Sequence, residues 1–224
     1  MLTYCQPDYR PNVSLCSLYA NRQVSNHNMT VEHLHVGEGM DVLVLAQSGL
    51  SRAYYSSDGP PAVCWSKDSN FPHPNASDPQ ARRCIDCFKS VRGSSGANST
   101  ACKYNQRLAV VPIDQPDNLY QLYLSPASIF GKAQMGHMPW QQFVRHLKNN
   151  SSSFEEVVTY VYRDLQSQET KLFFRPVRPV LEENIKRMTA HSKEEIADTL
   201  EFTVPPPARN PFGTVEGFSL DTPD

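Results

Sequence analysis

The sequence predicts a mainly β fold with some helix, and three features of its 224 residues support this class. Short runs of β-branched, aromatic and aliphatic residues recur between glycine, proline and asparagine turns. Most runs come in pairs separated by a few polar residues, as in β-hairpins. One strongly amphipathic segment lies between two of these pairs. About six strands with one such helix fit a small OB-like β-barrel, and a β-sandwich fits the same periodicity.

The first predicted pair of strands lies directly after residue 39. The apolar run MDVLVLAQ at 40–47 is bounded by Gly39 and Gly49, and the run SRAYYSS follows at once. Glycines at both ends of a short apolar run are typical of strand ends and turns. We therefore expect these two runs to form a β-hairpin.

Two further hairpins are predicted in the second half of the chain. Residues 107–113 and 119–124 flank the turn sequence QPDN, and residues 156–165 and 170–177 flank QSQE. Between them, Ser125 is a candidate helix cap. After Pro139, one helical face carries the apolar residues Trp140, Phe143, Val144 and Leu147.

The two ends of the chain differ from this central part. Residues 1–39 are polar and lack clear periodicity, which predicts a loose N-terminal arm. Residues 40–202 are predicted to form one OB-like domain that ends in a charged helical segment, VLEENIKRM continuing into SKEEIADTLEF. The proline- and glycine-rich residues 203–224 are predicted to be a disordered acidic tail.

A long insertion interrupts the predicted domain at residues 57–103. It is rich in proline, glycine, serine and asparagine, has too few apolar residues to form a core, and holds four of the six cysteines. Cys84 and Cys87 form a C-x-x-C pair, 19 residues separate Cys64 from Cys84, and 14 separate Cys87 from Cys102. Four thiolates at such spacings are typical of structural zinc, whose binding can order a loop without a core. We therefore predict Zn²⁺ held by Cys64, Cys84, Cys87 and Cys102.

Two other interpretations of these cysteines remain open. Two disulfides in a secreted protein would suit the six Asn-x-Ser/Thr sequons of the chain, and His73 could replace one sulfur ligand. However, the first residues lack a signal peptide, and no stretch approaches the roughly 18 apolar residues of a membrane helix. We expect a soluble, cytoplasmic protein without a membrane partner.

The composition and motifs limit the possible functions. The net charge of −2 shows no global field that would attract nucleic acid or basic partners. No Walker loop, nucleophile elbow, His-Glu-x-x-His or dinucleotide fingerprint occurs. A zinc ion with four protein ligands would also have no open position for catalysis. We therefore expect a protein that is not an enzyme.

The charge is nevertheless unevenly distributed. Residues 82–107 hold six basic residues and one acid, whereas residues 194–224 hold seven acids and one base. Aromatic residues accompany the basic segment, and cations beside aromatic faces are what a sequence-tolerant single-strand groove requires. The candidate nucleic-acid residues are Tyr54, Tyr55, Trp65, Arg82, Arg83, Lys89, Arg92, Lys103, Tyr104 and Arg107. The acidic tail could compete for this groove or recruit replication proteins.

The segments VCWSKDSNFP, RRCIDCFKSVRGSSG, ACKYNQRLAVV and YQLYLSPAS, in this order, resemble phage-type single-stranded-DNA-binding proteins with an OB fold and a zinc-binding loop. The resemblance covers about residues 40 to 190. It implies sequence-tolerant binding of single-stranded DNA during phage DNA replication, recombination or repair, in the host cytoplasm. The alternative function is a zinc-stabilised interaction or virion adaptor protein that does not bind nucleic acid.

Overall fold

In the computed structural model, the described residues are 16–22, 30–36, 39–56, 59–96, 98–164, 171–181 and 191–201. They form nine β-strands, three α-helices and a few 3₁₀ turns. In chain order, the strands and α-helices are β1 (Cys16–Arg22), β2 (Thr30–Val36), β3 (Gly39–Gln47), β4 (Ser51–Ser56), β5 (Gly59–Ser66), β6 (Lys103–Pro112), β7 (Tyr120–Leu124), α1 (Pro126–Phe130), α2 (Trp140–Asn149), β8 (Val157–Arg163), β9 (Leu172–Pro179) and α3 (Lys193–Thr199).

The mainly β class is confirmed, and the strands form an antiparallel sheet. Seven strands follow the order β2-β1-β7-β6-β3-β8-β9, and β4 and β5 branch from β6. Among the described residues, the two ends of this path, β2 and β9, do not pair with each other. The sheet is therefore not closed, and the predicted OB-like barrel is not confirmed.

The long strand β6 joins the main sheet to the branch. Its first residues pair with β4, and its later residues pair with β3 on one side and β7 on the other. β3 and β4 are both antiparallel to β6, with Gln47 opposite Leu108 and Ser51 opposite Asn105. They run in the same direction, so the predicted hairpin between them is wrong.

The physical reason lies in the link between β3 and β4. The Ser48 backbone N–H donates to the Arg107 carbonyl at 2.8 Å, and the Ser48 hydroxyl accepts from the Arg107 N–H at 2.9 Å. These bonds keep the chain alongside β6 through Gly49, and β4 then pairs with β5. The two other predicted hairpins are confirmed as β6 with β7 and β8 with β9.

The main core lies where α1 and α2 pack on the sheet. Trp140, Phe143 and Leu147 of α2 are buried as the helical periodicity predicts, and Val144 is partly buried. The Trp140 ring contacts Phe143 and Phe174, and its indole N–H donates to the Gln47 side chain at 2.8 Å. Ser125 caps α1 as predicted, since its hydroxyl accepts from the Ser128 N–H.

The predicted terminal segments have different outcomes. The loose arm expected at 1–39 is wrong for β1 and β2, which pair with each other along seven residues, while β1 also meets β7. At the other end, α3 confirms a helix inside the predicted charged segment, and Ser192 and Glu195 form its capping box. Residues 182–190 and the predicted acidic tail lie outside the described residues. Within the described ranges, no helix is long and apolar enough to cross a membrane.

Candidate metal centre and its surroundings

The four cysteines of the insertion come from four different places in the chain and line one pocket. Cys64 lies on β5, Cys84 begins a 3₁₀ turn, Cys87 precedes a second one, and Cys102 lies immediately before β6. All four side chains are buried, and none is joined in a disulfide. The pocket wall also includes Tyr54, Pro72, Gln80, Ala81, Arg83, Lys89 and Ser90.

Backbone hydrogen bonds hold the insertion against β5 and β6. The N–H groups of His73 and Asp78 donate to the carbonyls of Trp65 and Val63 on β5. The Cys102 N–H donates to the Lys89 carbonyl at 2.9 Å, which joins the C-x-x-C turn to the start of β6. Backbone hydrogen bonds thus position the insertion, which has few apolar residues, and they bring the four cysteines to one pocket.

The apolar content of the insertion is small. Between residues 67 and 102, the buried side chains of the described residues are Ala76, Cys84, Cys87 and Cys102. Three of these four are cysteines of the pocket. Ordering each residue costs roughly 1–2 kcal/mol of backbone entropy, which so little burial cannot offset. Burial of apolar side chains alone therefore does not account for the order of the insertion.

Three of the four thiols, those of Cys64, Cys84 and Cys102, lie in an environment that keeps them protonated in the absence of a metal. Burial raises the pKa of the Cys102 thiol to about 12, and the nearby Arg52 guanidinium opposes this shift. Burial also raises the pKa of Cys64, against a hydrogen bond from the Gln80 backbone. The pKa of Cys84 is raised by burial as well, against hydrogen bonding with Ser66 and the charge of Arg52. Such thiols are poor nucleophiles, so the pocket suits a structural role better than a redox role.

The pocket supplies donors of the number and type that zinc prefers. Within the described residues, no three His, Cys, Asp or Glu side chains are already arranged to hold a metal ion. The four thiols that line this pocket supply the tetrahedral ligand number, and rotation about each Cα–Cβ bond would have to bring the sulfurs to zinc-bonding distance. His73 does not line the pocket, and its ring stacks on Trp65 at 3.7 Å.

The ten predicted nucleic-acid residues are not all on one surface. Tyr54, Arg83 and Lys89 line the cysteine pocket, and the Lys89 ammonium lies 4.6 Å from the centre of the Tyr54 ring. Arg82 and Arg92 are exposed on the same insertion. Of these five, Arg82, Arg83 and Arg92 are exposed to a polyanion, whereas Tyr54 and Lys89 are half-buried against each other.

The other five candidates are engaged within the protein. Trp65 stacks on His73, Tyr104 lies between Arg52 and Phe130, and Lys103 donates to the Ser99 hydroxyl. Tyr55 is half-buried. Arg107 is only 2% exposed and lies over the Tyr123 ring, so it does not reach the surface where a phosphate would bind.

The structure also reveals exposed apolar residues on the insertion. Phe71 and Phe88 are 58% and 61% exposed, and Ile85 and Val91 are similarly open to solvent. The sequence shows aromatic residues near the basic segment, but their exposure depends on how the insertion folds. We define the insertion surface as these four residues with the exposed basic residues Lys67, Arg82, Arg83 and Arg92.

A buried arginine, Arg52, is the residue near the cysteines that sequence analysis missed. It lies on β4 opposite Ser66 of β5 and Tyr104 of β6. The pairing of three strands places it beside the pocket, and the run SRAYYSS alone does not reveal this.

No protein-family model, curated protein or solved structure matches this chain.

Proposed function

We propose that this protein binds single-stranded DNA without strong sequence preference, through an insertion that a structural zinc ion holds in shape. The observation that carries the proposal is that Phe71 and Phe88 are exposed on the same segment as several exposed arginines, and that this segment holds four buried thiols. The protein has no catalytic role in this proposal.

The zinc part of the proposal rests on the cysteine pocket. Four buried, unbridged thiols converge where the insertion has almost no other buried side chain. Zinc binding to small four-ligand modules contributes about 10–16 kcal/mol, which is enough to order a segment that lacks a core. With four thiolate ligands the ion has no open coordination position, so it organises structure and does not activate water.

The nucleic-acid part rests on the insertion surface. Between residues 82 and 103, five basic residues accompany the single acid Asp86. Asp86 forms an exposed pair with Arg83 at 3.6 Å, and such pairs contribute little and open easily. Phosphates can therefore compete for Arg83, while Phe71 and Phe88 expose their rings, Phe88 with the Lys89 ammonium over one face. Unpaired bases expose their faces for stacking, whereas duplex bases do not, so this combination favours single strands.

The test is a titration of a fluorescently labelled oligonucleotide at several salt concentrations. Phe88→Ala should weaken binding by about 5- to 150-fold, corresponding to 1–3 kcal/mol for one stacked base. Leu181→Ala is the matched control, because Leu181 is 63% exposed but lies outside the insertion. It should leave the affinity unchanged.

Charge is tested in the same assay with a double variant. Arg82→Ala with Arg83→Ala should weaken binding and reduce the slope of log affinity against log salt by about 0.7 for each phosphate that the variant no longer neutralises. Arg175→Ala with Arg178→Ala removes the same charge from exposed positions of β9 and serves as the control. Preference for duplex, or binding that does not depend on salt, would refute the proposal.

The exposed aliphatic residues favour a second candidate function. Ile85 and Val91 cannot stack bases as aromatic rings do, and exposed aliphatic groups are typical of protein contacts. A zinc-stabilised adaptor that binds another protein would use the same insertion. Failure of the oligonucleotide to bind at low salt, in zinc-loaded protein, would favour this alternative. Recruitment of replication proteins by residues 203–224 stays a separate prediction.

A further inference from the structure

Among the described residues, Arg52 is a buried cation without an acidic partner. Its side chain is 8% exposed, and no ion pair with a carboxylate forms in the described part of the chain. Its Nη1 donates to the Ser90 hydroxyl at 2.7 Å, its guanidinium lies 3.8 Å from the centre of the Tyr104 ring, and its buried Nε has no hydrogen-bond partner within those residues. Burying a charge without a counter-charge is costly, so an anion beside Arg52 would stabilise this position.

The strand register places Arg52 on the cysteine side of the branch sheet. Residues that face each other on antiparallel strands share one side of a sheet, and so do residues two apart on one strand. Arg52 faces Ser66 and Tyr104, and Tyr54 faces Cys64. Arg52 therefore shares its side with Cys64, and its charge also acts on Cys84 and Cys102.

A second contact links Arg52 to the C-x-x-C turn. Ser90, which accepts the hydrogen bond from Arg52, donates its own backbone N–H to the Cys87 carbonyl at 2.9 Å. Arg52 thus contacts one end of the turn that carries Cys87, and its guanidinium also packs against the Tyr104 ring.

The charge of the occupied pocket explains why a cation is buried here. Four thiolates with one Zn²⁺ carry a net charge of −2, which in a buried site requires compensation. We propose that Arg52 is the counter-ion of a tetrathiolate zinc centre and positions the turn that carries Cys87. This inference rests on the zinc part of the proposed function and does not depend on nucleic-acid binding.

Arginine suits this position better than lysine. Its planar guanidinium stacks on Tyr104 while donating to Ser90, which leaves further N–H groups as donors for thiolate sulfurs. Lys89 lines the pocket itself, but it is a less buried cation whose ammonium lies over the Tyr54 and Phe88 rings. We therefore expect Lys89→Gln to change zinc affinity much less than Arg52→Gln.

The experiment measures zinc affinity of the full chain by competition with a chromophoric chelator, without nucleic acid. Arg52→Gln should weaken zinc binding by about 10- to 100-fold, the usual effect of removing a group that supports metal ligands. Arg52→Lys should recover most of the loss because it keeps the charge. The absorption spectrum of the Co²⁺-substituted protein should keep its tetrathiolate form in both variants. Arg163→Gln is the matched control, since Arg163 is 7% exposed and lies on β8 of the main sheet.

Several results would overturn the inference. The inference fails if Arg52→Gln keeps wild-type zinc affinity, if Arg52→Gln and Arg52→Lys lose equal zinc affinity, or if Arg163→Gln loses as much as Arg52→Gln. It also fails if the wild-type protein binds no zinc. If Arg52→Gln does not fold without metal, saturating zinc should restore folding by mass action. A variant that stays unfolded in saturating zinc would contradict the counter-ion role. Loss of DNA binding alone would refute the nucleic-acid proposal and leave this inference intact.

Discussion

Replacing one pocket cysteine separates a metal-held insertion from one held by packing alone. Cys84 is buried, but it is a small side chain, and Cys84→Ala without a metal should cost about 1 kcal/mol, as a typical point substitution does. If zinc is present, the same change removes a ligand and most of the roughly 10–16 kcal/mol of metal binding. That amount equals or exceeds the roughly 5–15 kcal/mol that stabilises a typical domain. Since residues 67–102 bury little else, they should lose their structure.

The assay combines zinc content with hydrogen exchange followed by mass spectrometry. Wild-type protein should carry about one zinc per chain, and Cys84→Ala should carry none. Peptides from residues 67–102 should then exchange quickly, while peptides from β6 at 106–112 and from β8 stay protected, because the main core lies between those strands and α2. Cys16→Ala is the control, because Cys16 is not one of the four predicted zinc ligands and its replacement should leave both readouts unchanged.

Two results would refute this reasoning. Zinc-free wild-type protein with full protection of residues 67–102 would show that packing and backbone bonds suffice. One zinc per chain in Cys84→Ala would show that the metal binds elsewhere.

Three further predictions follow from the fold and the charges. Because burial raises the pKa of Cys102 from 9.0 to about 12 in the folded insertion, zinc-free protein whose insertion stayed folded would lose about 4 kcal/mol of stability as the pH rises from 9 to 12. Zinc-free protein whose insertion unfolds, as expected above, and zinc-loaded protein, whose thiols are already ionised, should both lack this decline, and alkaline urea titrations compare the two. Phe143→Ala should lower the free energy of unfolding by about 3–5 kcal/mol because Phe143 is fully buried, whereas Phe88→Ala should change it by less than about 0.5 kcal/mol; equal effects in urea unfolding would contradict the described core. Deleting residues 206–224 removes three acids and one base, so affinity for single-stranded DNA should rise modestly at 0.01 M salt, where the Debye length is about 30 Å. Near 1 M salt the Debye length is about 3 Å, and the deletion should not change the affinity. An effect that does not depend on salt would exclude electrostatic competition by the tail.

Local patterns explain which parts of the fold could be predicted from sequence. The hairpins of β6 with β7 and of β8 with β9 combine short runs of β-branched, aliphatic and aromatic residues with short polar turns, and α2 has a continuous apolar face. In each of these elements the decisive contacts join residues near one another in the chain. The β3 and β4 prediction failed because Gly49 is typical of a turn, whereas both strands pair with a third strand more than fifty residues away.

The cysteine spacing, the mainly β class and the basic character of the insertion were readable from sequence because each depends on residue types and short separations. The tertiary structure decided which side chains share the pocket and which face solvent. Arg52, Ser66 and Tyr104 meet only because three strands align in one register, and Arg107 is buried over Tyr123 because β6 lies inside the sheet at that point. A shift of one residue in strand register moves a side chain to the opposite face of a sheet, so burial of a charged residue is set by long-range pairing.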